Sequence, residues 1–285
     1  MDPLCRFLAW KYGARSLLCR DGVLFPVACR PAPAVQWRQV NSVLGELDLT
    51  PPAEVRLDPM FDAKGLFNGP VYARRGLRSW PALQMDVQLG SYFGSMNTCE
   101  ALEMELLAHL PSLRGDTVVD FKELDRRLER RAALDDLVPA IGVATLVVCQ
   151  GELLLGRLAA KSMPHRAGQW HVVPSGMFAP PYSIVDTVAE ELREELGVQL
   201  DPARLYLSGI AINLLNLRPE VCTVLLLDGH EEFRLSSEFL PGLTRVPFTT
   251  EADLIRTLGL HARTIAPAGA AAVFLGLRLL RKLRP

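Results

Sequence analysis

The feature that most constrains this chain is a predicted helix from Ile184 to Leu196 that carries glutamates on one face. A left-handed glycine commonly ends such a helix, and Gly197 follows directly. At about 3.6 residues per turn, one stripe of the helix is apolar. This stripe comprises Val185, Val188, Leu192 and Leu196. Glu191, Glu194 and Glu195 point away from it and, at spacings of three and four residues, are neighbours. The helix must therefore pack on a core while it presents three carboxylates together.

Three adjacent carboxylates point to a metal site. Like charges at this spacing repel by a few tenths of a kcal/mol per pair, roughly, and only Arg193 interrupts them. Hard divalent cations such as Mg²⁺ take carboxylate oxygens as ligands and keep water and substrate phosphates in the remaining positions. Such ions activate water and neutralise a diphosphate. The pattern therefore predicts metal-assisted chemistry on a phosphorylated substrate.

At these residues the sequence resembles the Nudix hydrolase superfamily. Its motif reads G-x5-E-x7-R-E-U-x-E-E-x-G-U, where U is a bulky aliphatic residue, and the chain follows this spacing from Gly176 to Val198. Seven of the nine fixed positions match. The matching residues are Gly176, Glu191, Leu192, Glu194, Glu195, Gly197 and Val198.

Two positions depart from the family pattern. Tyr182 stands where the family has its early glutamate, and Glu190 stands where it has an arginine. In the family these two residues form an ion pair that braces the loop before the helix. Because both partners are replaced and the three metal glutamates remain, we interpret the change as replacement of a supporting contact. Losses of that kind typically lower metal affinity or activity by about 10–100-fold.

The resemblance implies a fold and a reaction. It covers roughly residues 138–283 and implies an α/β Nudix sandwich (α/β/α layers), with a mixed α+β composition for the chain. Glu191, Glu194 and Glu195 would be catalytic and would hold Mg²⁺, or alternatively Mn²⁺, with the carbonyl of Gly176 as a further ligand. The implied activity is a pyrophosphatase, in which water attacks the diphosphate of a nucleoside diphosphate linked to another moiety, such as a nucleotide sugar.

Other charged residues are candidates for the same site. Glu220 opens a predicted strand, Val221 to Leu227, and in many Nudix enzymes a later carboxylate approaches the metals. It is an expected metal ligand, with an ordinary charge at the strand end as the alternative. Arg157, Lys161 and Arg166 flank the loop before the motif and are expected to contact phosphate oxygens, with solvated loop charges as the alternative.

The N-terminal part carries a second, shorter resemblance. The segment 67–73 (FNGPVYA), an alternating strand and then Tyr92 and Thr98 are similar to the N-terminal domain of the UDP-sugar diphosphatase branch. This implies that Asn68 and Tyr92 help to bind the substrate, with turn formation as the alternative. Asn97 is expected to cap a helix that begins there, since Glu100 follows three residues later.

The chain is expected to form two units. Its 285 residues suit about two domains. We expect an α+β N-terminal domain at residues 1–119, a charged linking helix at 120–137 and the Nudix domain at 138–285. Short strands are predicted in the first unit, including one from Glu54 to Leu57. In the second unit, a hairpin precedes the motif.

Charge and cysteine content exclude other classes. Lys+Arg is 31 and Asp+Glu is 32, so no basic field favours nucleic acid. The apolar run from Ala266 to Leu280 is shorter than the ~20 residues that span a bilayer, so no membrane partner is expected. None of the six cysteines forms a CxxC pair, which favours reduced thiols and the cytoplasm. We expect a small-molecule nucleotide-diphosphate substrate, and the oligomeric state stays open.

Two alternative functions remain at this point. The first is a Nudix-like sensor, weak or inactive as a catalyst, that binds a nucleotide sugar or ADP-ribose. The second is an isomerase of Nudix fold that acts on an isoprenoid diphosphate, which needs a positioned cysteine such as Cys149 or Cys222.

Overall fold

The computed structural model describes residues 2–61, 66–75, 83–109, 120–131, 133–160, 164–229, 231–247 and 249–283. The α-helices in these ranges are α1 (Pro3–Tyr12), α2 (Tyr92–Ser95), α3 (Ala101–His109), α4 (Phe121–Arg131), α5 (Ile184–Leu196), α6 (Glu251–Leu258) and α7 (Pro267–Leu283). The strands are β1 (Leu18–Arg20), β2 (Val23–Phe25), β3 (Val27–Gln36), β4 (Leu44–Asp48), β5 (Pro70–Arg74), β6 (Met85–Ser91), β7 (Gly142–Cys149), β8 (Glu152–Arg157), β9 (Trp170–Val172), β10 (Ser175–Met177), β11 (Leu205–Asn213), β12 (Pro219–Leu227) and β13 (Thr244–Pro247).

A mixed sheet forms the centre of the molecule. Its strands follow the order β13-β8-β7-β12-β11-β3, with β9 beside β8 and β10 beside β7. β7 and β12 are parallel, and the other described pairs in this sheet are antiparallel. The predicted hairpin before the motif corresponds to β7 and β8, which are joined by a tight turn in which Gln150 and Gly151 have positive φ.

Helices cover both faces of this sheet. Along β7, Ala144 and Leu146 pack into the core that contains α7, whereas Val143 and Val147 pack into the core that contains α5. Successive side chains of a strand point to opposite faces, so one strand contributes to both cores. The result is a helix–sheet–helix arrangement, and the predicted mixed α/β fold is confirmed.

The sheet crosses the predicted boundary between the two units. β3 belongs to the first 119 residues, yet it forms the edge of the central sheet and pairs with β11 from Val27 to Gln36. A smaller sheet, in the order β4-β6-β5, is attached through backbone hydrogen bonds from Tyr72 to Phe178 and from Ile141 to Tyr72. The division at residues 119 and 137 stays a prediction, but the two parts share one sheet.

Two local predictions in the first unit are wrong. Residues 54–57 form no strand. The predicted helix starts earlier, because the Ser91 hydroxyl accepts a hydrogen bond from the Gly94 N–H and caps α2. Asn97 lies in the π-helical turn Met96–Glu100 that joins α2 to α3. Its side chain bonds the Arg56 carbonyl and the Asp58 N–H, so it holds the extended segment instead of capping a helix.

None of the described helices is long and apolar enough to cross a membrane.

Candidate metal and active site

The loop before α5 is closed by a reciprocal cap. The Ser183 hydroxyl accepts a hydrogen bond from the Asp186 N–H, and the Asp186 carboxylate accepts one from the Ser183 N–H. The helix ends at Gly197, whose φ of 70° is the left-handed conformation that favours glycine. Sequence-local signals therefore set both ends of the helix that carries the glutamates.

β10 meets the glutamate face of α5. A Cβ on Gly176 would lie 1.6 Å from Oε1 of Glu191, so only glycine leaves room for this carboxylate. One turn later, Oε2 of Glu195 accepts a hydrogen bond of 2.9 Å from the Ser175 N–H. Gly176 pairs with Val143, whose side chain packs on the α5 side of the sheet. The structure thus brings together the glycine and the glutamates that the sequence motif predicted.

The carboxylates of Glu191 and Glu195 lie in an acidic environment that is largely shielded from solvent. Burial, followed by the charges of Glu238 and Glu194, raises the pKa of Glu191 to about 8. Burial likewise holds the pKa of Glu195 well above its ordinary value, with Glu191 as the next cause. Glu194 is exposed. Burial and mutual repulsion both disfavour the charged form of these carboxylates. A cation placed between them would stabilise that charged form.

Glu238 is a candidate that the sequence motif does not predict. It lies in the loop between β12 and β13, where its carbonyl accepts a hydrogen bond from the Ala159 N–H and the nearby Ser236 N–H bonds the carbonyl of Glu195. Its charge acts on both Glu191 and Glu195. It lies far along the chain from the motif at no fixed spacing, so only the folded loop reveals it.

The family's ion-pair brace is absent at its two expected positions. Tyr182 is largely exposed, and Glu190 pairs with Arg193 within α5 at 2.5 Å. Asn41 from the N-terminal part instead accepts a hydrogen bond from the first N–H of the helix, that of Ile184. This contact and the reciprocal cap hold the start of α5.

Glu220 lies on the other face of the sheet. It alternates with Val221, which packs on the α5 side, and a Cβ on its neighbour Gly142 would lie 1.8 Å from Oε2 of Glu220. Burial raises the pKa of Glu220 to about 7, and the nearby charges of Arg218 and Arg166 oppose the rise. The structure does not bring Glu220 together with the α5 glutamates, and its metal role stays a prediction.

Arg166 belongs to a buried ion network, and its contact with a substrate phosphate stays a prediction. Its guanidinium forms two hydrogen bonds with Glu103, and Arg218 forms one with Glu100 and one with the Ala140 carbonyl. His165 Nε2 lies 3.5 Å from Oε2 of Glu100. Two glutamates and a histidine are ligand types for a metal, but the two arginines already supply the opposing charge here. The network joins α3 to the turn between β11 and β12.

The remaining substrate candidates are dispersed. The guanidinium of Arg157 stacks on Trp170, on the face of the sheet away from α5. Lys161 lies outside the described residues. The Asn68 side chain donates to the Val55 carbonyl and accepts from the Phe93 N–H, as a turn-forming residue does. Tyr92 is half-buried at the start of α2, and burial raises its pKa, followed by the charge of Glu100.

The cysteines required by the isomerase alternative are buried. Cys149 and Cys222 point into the two cores, and burial holds the pKa of Cys222 well above its ordinary value. A thiol that is kept protonated is a poor acid–base or nucleophilic group near neutral pH. The arrangement gives this alternative no support.

No protein-family model matches the chain, and no curated protein matches it. The solved structures that match it include a MutT protein from Methanosarcina mazei Go1, at 26% identity over 51% of this chain and 96% of the other, with a TM-score of 0.38. A MutT Nudix hydrolase from Burkholderia pseudomallei matches at 22% identity, 48% and 97% coverage and a TM-score of 0.36. The Nudix domain of NrtR from Shewanella oneidensis, complexed with ADP ribose, matches at 14% identity, 51% and 88% coverage and a TM-score of 0.38.

These matches are all to MutT or Nudix proteins, the superfamily that the motif resembles. None of the three is a UDP-sugar diphosphatase by name, and the resemblance to that branch stays a prediction.

Proposed function

We propose that the chain is a Nudix-type pyrophosphatase that hydrolyses a nucleoside diphosphate linked to another moiety, with a divalent cation held by α5. The observation that carries this proposal is the meeting of α5 with β10. Glu191 fills the space that a side chain at position 176 would take, and Glu195 is held by the Ser175 N–H. A motif without a function would not be expected to keep this fit between Gly176 and Glu191.

The residues present suit a hard divalent cation. The donors are carboxylate oxygens of Glu191, Glu194 and Glu195 with the nearby carbonyl of Gly176, and Mg²⁺ or Mn²⁺ takes oxygen donors of this kind. Because position 176 has no side chain, the Glu191 carboxylate lies close to the backbone of Gly176 and its carbonyl. When bound, the cation neutralises the diphosphate charge and makes water more acidic.

Residues of the chain orient the carboxylates and accept the proton of the attacking water. The hydrogen bond from Ser175 fixes one oxygen of Glu195, which leaves its other oxygen for the cation. The proton of the attacking water passes to a carboxylate of this group, and Glu238 faces Glu191 and Glu195 from outside the helix as an additional acceptor. Burial keeps bulk water away from these carboxylates and strengthens their charge interactions.

Turnover of a substrate panel tests the proposal. The purified chain is incubated with Mg²⁺ and UDP-glucose, ADP-ribose, a dinucleoside polyphosphate, nucleoside triphosphates or CoA, and both fragments are separated. We expect one class to be cleaved within the diphosphate. Glu195→Gln should lower kcat by about 10³-fold, equal to ~4 kcal/mol of lost transition-state stabilisation.

Glu190→Gln is the matched control, because Glu190 lies on the same helix but pairs with the exposed Arg193. It should leave kcat within about threefold, as expected for a surface ion pair. Equal losses in the two variants, or full turnover in EDTA, would contradict the proposal.

For the substrate, we propose a nucleotide sugar. Tyr92 supports this, since its electrostatic neighbours include Glu238, which also acts on the α5 glutamates. This shared electrostatic neighbour supports Tyr92 as a substrate contact. Tyr92→Phe should raise KM for UDP-glucose while kcat falls little; an unchanged KM would exclude a direct contact of the hydroxyl with the substrate.

One observation favours the sensor alternative. The brace positions Tyr182 and Glu190 make no ion pair with each other, so the loop that carries Gly176 relies on the cap at Ser183. If the panel shows no turnover, calorimetry with ADP-ribose and UDP-glucose in the presence of Mg²⁺ decides: binding that Glu195→Gln abolishes would identify a sensor.

A further inference from the structure

A small cavity of about 210 Å³ opens on the α7 side of the central sheet, apart from the glutamates of α5. It lies where β8 ends and β9 begins, close to the segment that enters α7. The residues that line it include Arg157, Gly168, Gln169, Trp170, Leu258 and Arg263. We call it the arginine pocket.

Strand alternation separates the arginine pocket from the proposed metal site. On β8, Leu153 and Leu155 pack into the α7 core, whereas Leu154 packs into the α5 core. Arg157 has the same parity as Leu155 and therefore projects on the α7 side. Trp170 and Leu258, which line the same pocket, pack against the α7 core as well. A ligand here would have the sheet between itself and the α5 carboxylates.

The arginine pocket is built for negative charge. The guanidinium carbon of Arg157 lies 4.5 Å from the centre of the Trp170 ring, so the ring fixes the orientation of an otherwise exposed arginine. Arg263 contributes a second guanidinium, which also forms a partly exposed ion pair of 3.4 Å with Asp2. Among the described lining residues none is acidic. Two arginines in a lining without acidic residues suit a phosphate group.

A glutamine fixes the backbone next to these arginines. Gln169 donates its Nε2 hydrogen to the Arg263 carbonyl at 3.2 Å. Its Oε1 is shielded from solvent and is therefore closed to a ligand in the pocket. The amide of Gln169 thus holds the Arg263 backbone in place beside the pocket.

We propose that the arginine pocket binds the phosphate group of a small phosphorylated molecule. Arg157 and Arg263 would hold the phosphate oxygens through their guanidinium groups. This inference does not depend on the hydrolytic function proposed for α5.

Calorimetry on the full chain in EDTA tests the proposal, because without a divalent cation the α5 carboxylates repel phosphate. The probes are ribose 5-phosphate, inorganic sulfate and ribose. We expect ribose 5-phosphate and sulfate to bind and ribose not to bind, because the two arginines hold the anionic group. No binding of ribose 5-phosphate, or equal affinity for ribose, would overturn the proposal.

Variants locate the bound ligand. Arg157→Gln and Arg263→Gln should each weaken ribose 5-phosphate binding by about tenfold, whereas Arg256→Gln removes an exposed arginine of α6 outside the pocket and should leave it unchanged. Arg157→Lys keeps the charge but loses the planar stack on Trp170. Its affinity for ribose 5-phosphate should lie between those of the parent chain and Arg157→Gln. Glu195→Gln should bind as the parent chain does. Binding that survives Arg157→Gln and Arg263→Gln, or that is lost in Glu195→Gln, would contradict the assignment.

Discussion

Single residues decide how the glutamates are held. Gly176 leaves the space that the Glu191 carboxylate occupies, and the Ser175 N–H orients Glu195. Neither contact involves a charge of opposite sign, so α5 keeps its acidic character. The site therefore combines tight placement of the carboxylates with unbalanced negative charge, which is the combination that a cation stabilises.

Gly176→Ala should impair the site without unfolding the chain. The added methyl group would meet the flexible end of Glu191 and displace its carboxylate. We expect activity to fall by about 10–100-fold, the range seen when the support of a metal ligand is lost. Steady-state kinetics with the best substrate of the panel would measure this. Ser175→Ala is the control, since it keeps the N–H that bonds Glu195; a similar loss there would refute the specific role of Gly176.

A buried histidine makes the fold sensitive to acid. Burial lowers the pKa of His171 to about 4 from its ordinary value of 6.5, while its Nδ1 donates to the Val172 carbonyl. Below pH 6.5 the imidazole of His171 becomes protonated in the unfolded chain, whereas it stays neutral in the folded chain. Stability is therefore present above pH 6.5 and falls as the pH drops towards 4, by up to ~3 kcal/mol.

Urea unfolding at pH 7 and at pH 4.5 measures this dependence. His171→Asn removes the titrating group, so the variant should lose less free energy of unfolding between the two pH values than the parent chain. An equal loss in both proteins would mean that His171 is not the group responsible.

At the scale of elements, residues within its own segment set both the start and the end of α5. The cap formed by Ser183 and Asp186 and the left-handed Gly197 lie within the chain segment itself. The tertiary contribution at its start is the bond from Ile184 N–H to Asn41. This explains how the loop stays in place although Tyr182 and Glu190 do not form the family's ion pair.

Ser183→Ala and Thr250→Ala form a matched pair of cap variants. Thr250 caps α6 through the Asp253 N–H, as Ser183 caps α5. Each substitution should cost about 1 kcal/mol of unfolding free energy. Only Ser183→Ala should also lower turnover, because its helix carries the glutamates. Thermal unfolding and kinetics check the pair, and equal turnover in the two variants would disprove the link between cap and site.

At the scale of the whole molecule, the N-terminal part is integrated with the C-terminal part. β3 forms the edge of the central sheet beside β11, and α3 is tied to the β11–β12 turn by the buried ion network. Breaking a buried ion pair by removing one partner typically costs about 3–5 kcal/mol. The two parts therefore stabilise one another across the predicted boundary.

A fragment of residues 138–285 should not fold to the native state. Without β3, the N–H and C=O groups of β11 would be exposed along an apolar edge, and Arg166 and Arg218 would lose Glu103 and Glu100. We expect aggregation or rapid amide exchange in β11 and β12, measured by hydrogen exchange. A soluble fragment with protected amides in both strands would show that the C-terminal part is an independent domain.

The sequence by itself determined the features that depend on chain neighbours. The periodicity of residues 184–196 placed the helix and its glutamates, Gly197 marked its end, and two apolar runs around a turn marked the β7–β8 hairpin. These signals are local, because a helix face or a tight turn is set by residues a few positions apart.

Only the tertiary structure decided where the other charged residues lie. β12 is buried on both faces, so its residues show no alternation that would reveal which face carries Glu220. The sequence around Arg166 is typical of a loop charge. Its partner Glu103 lies in α3, far earlier in the chain, and only the fold brings the two together. The same holds for Glu238, whose loop folds back on α5. Such contacts join residues distant in sequence, and they form because burying the two cores brings those segments together.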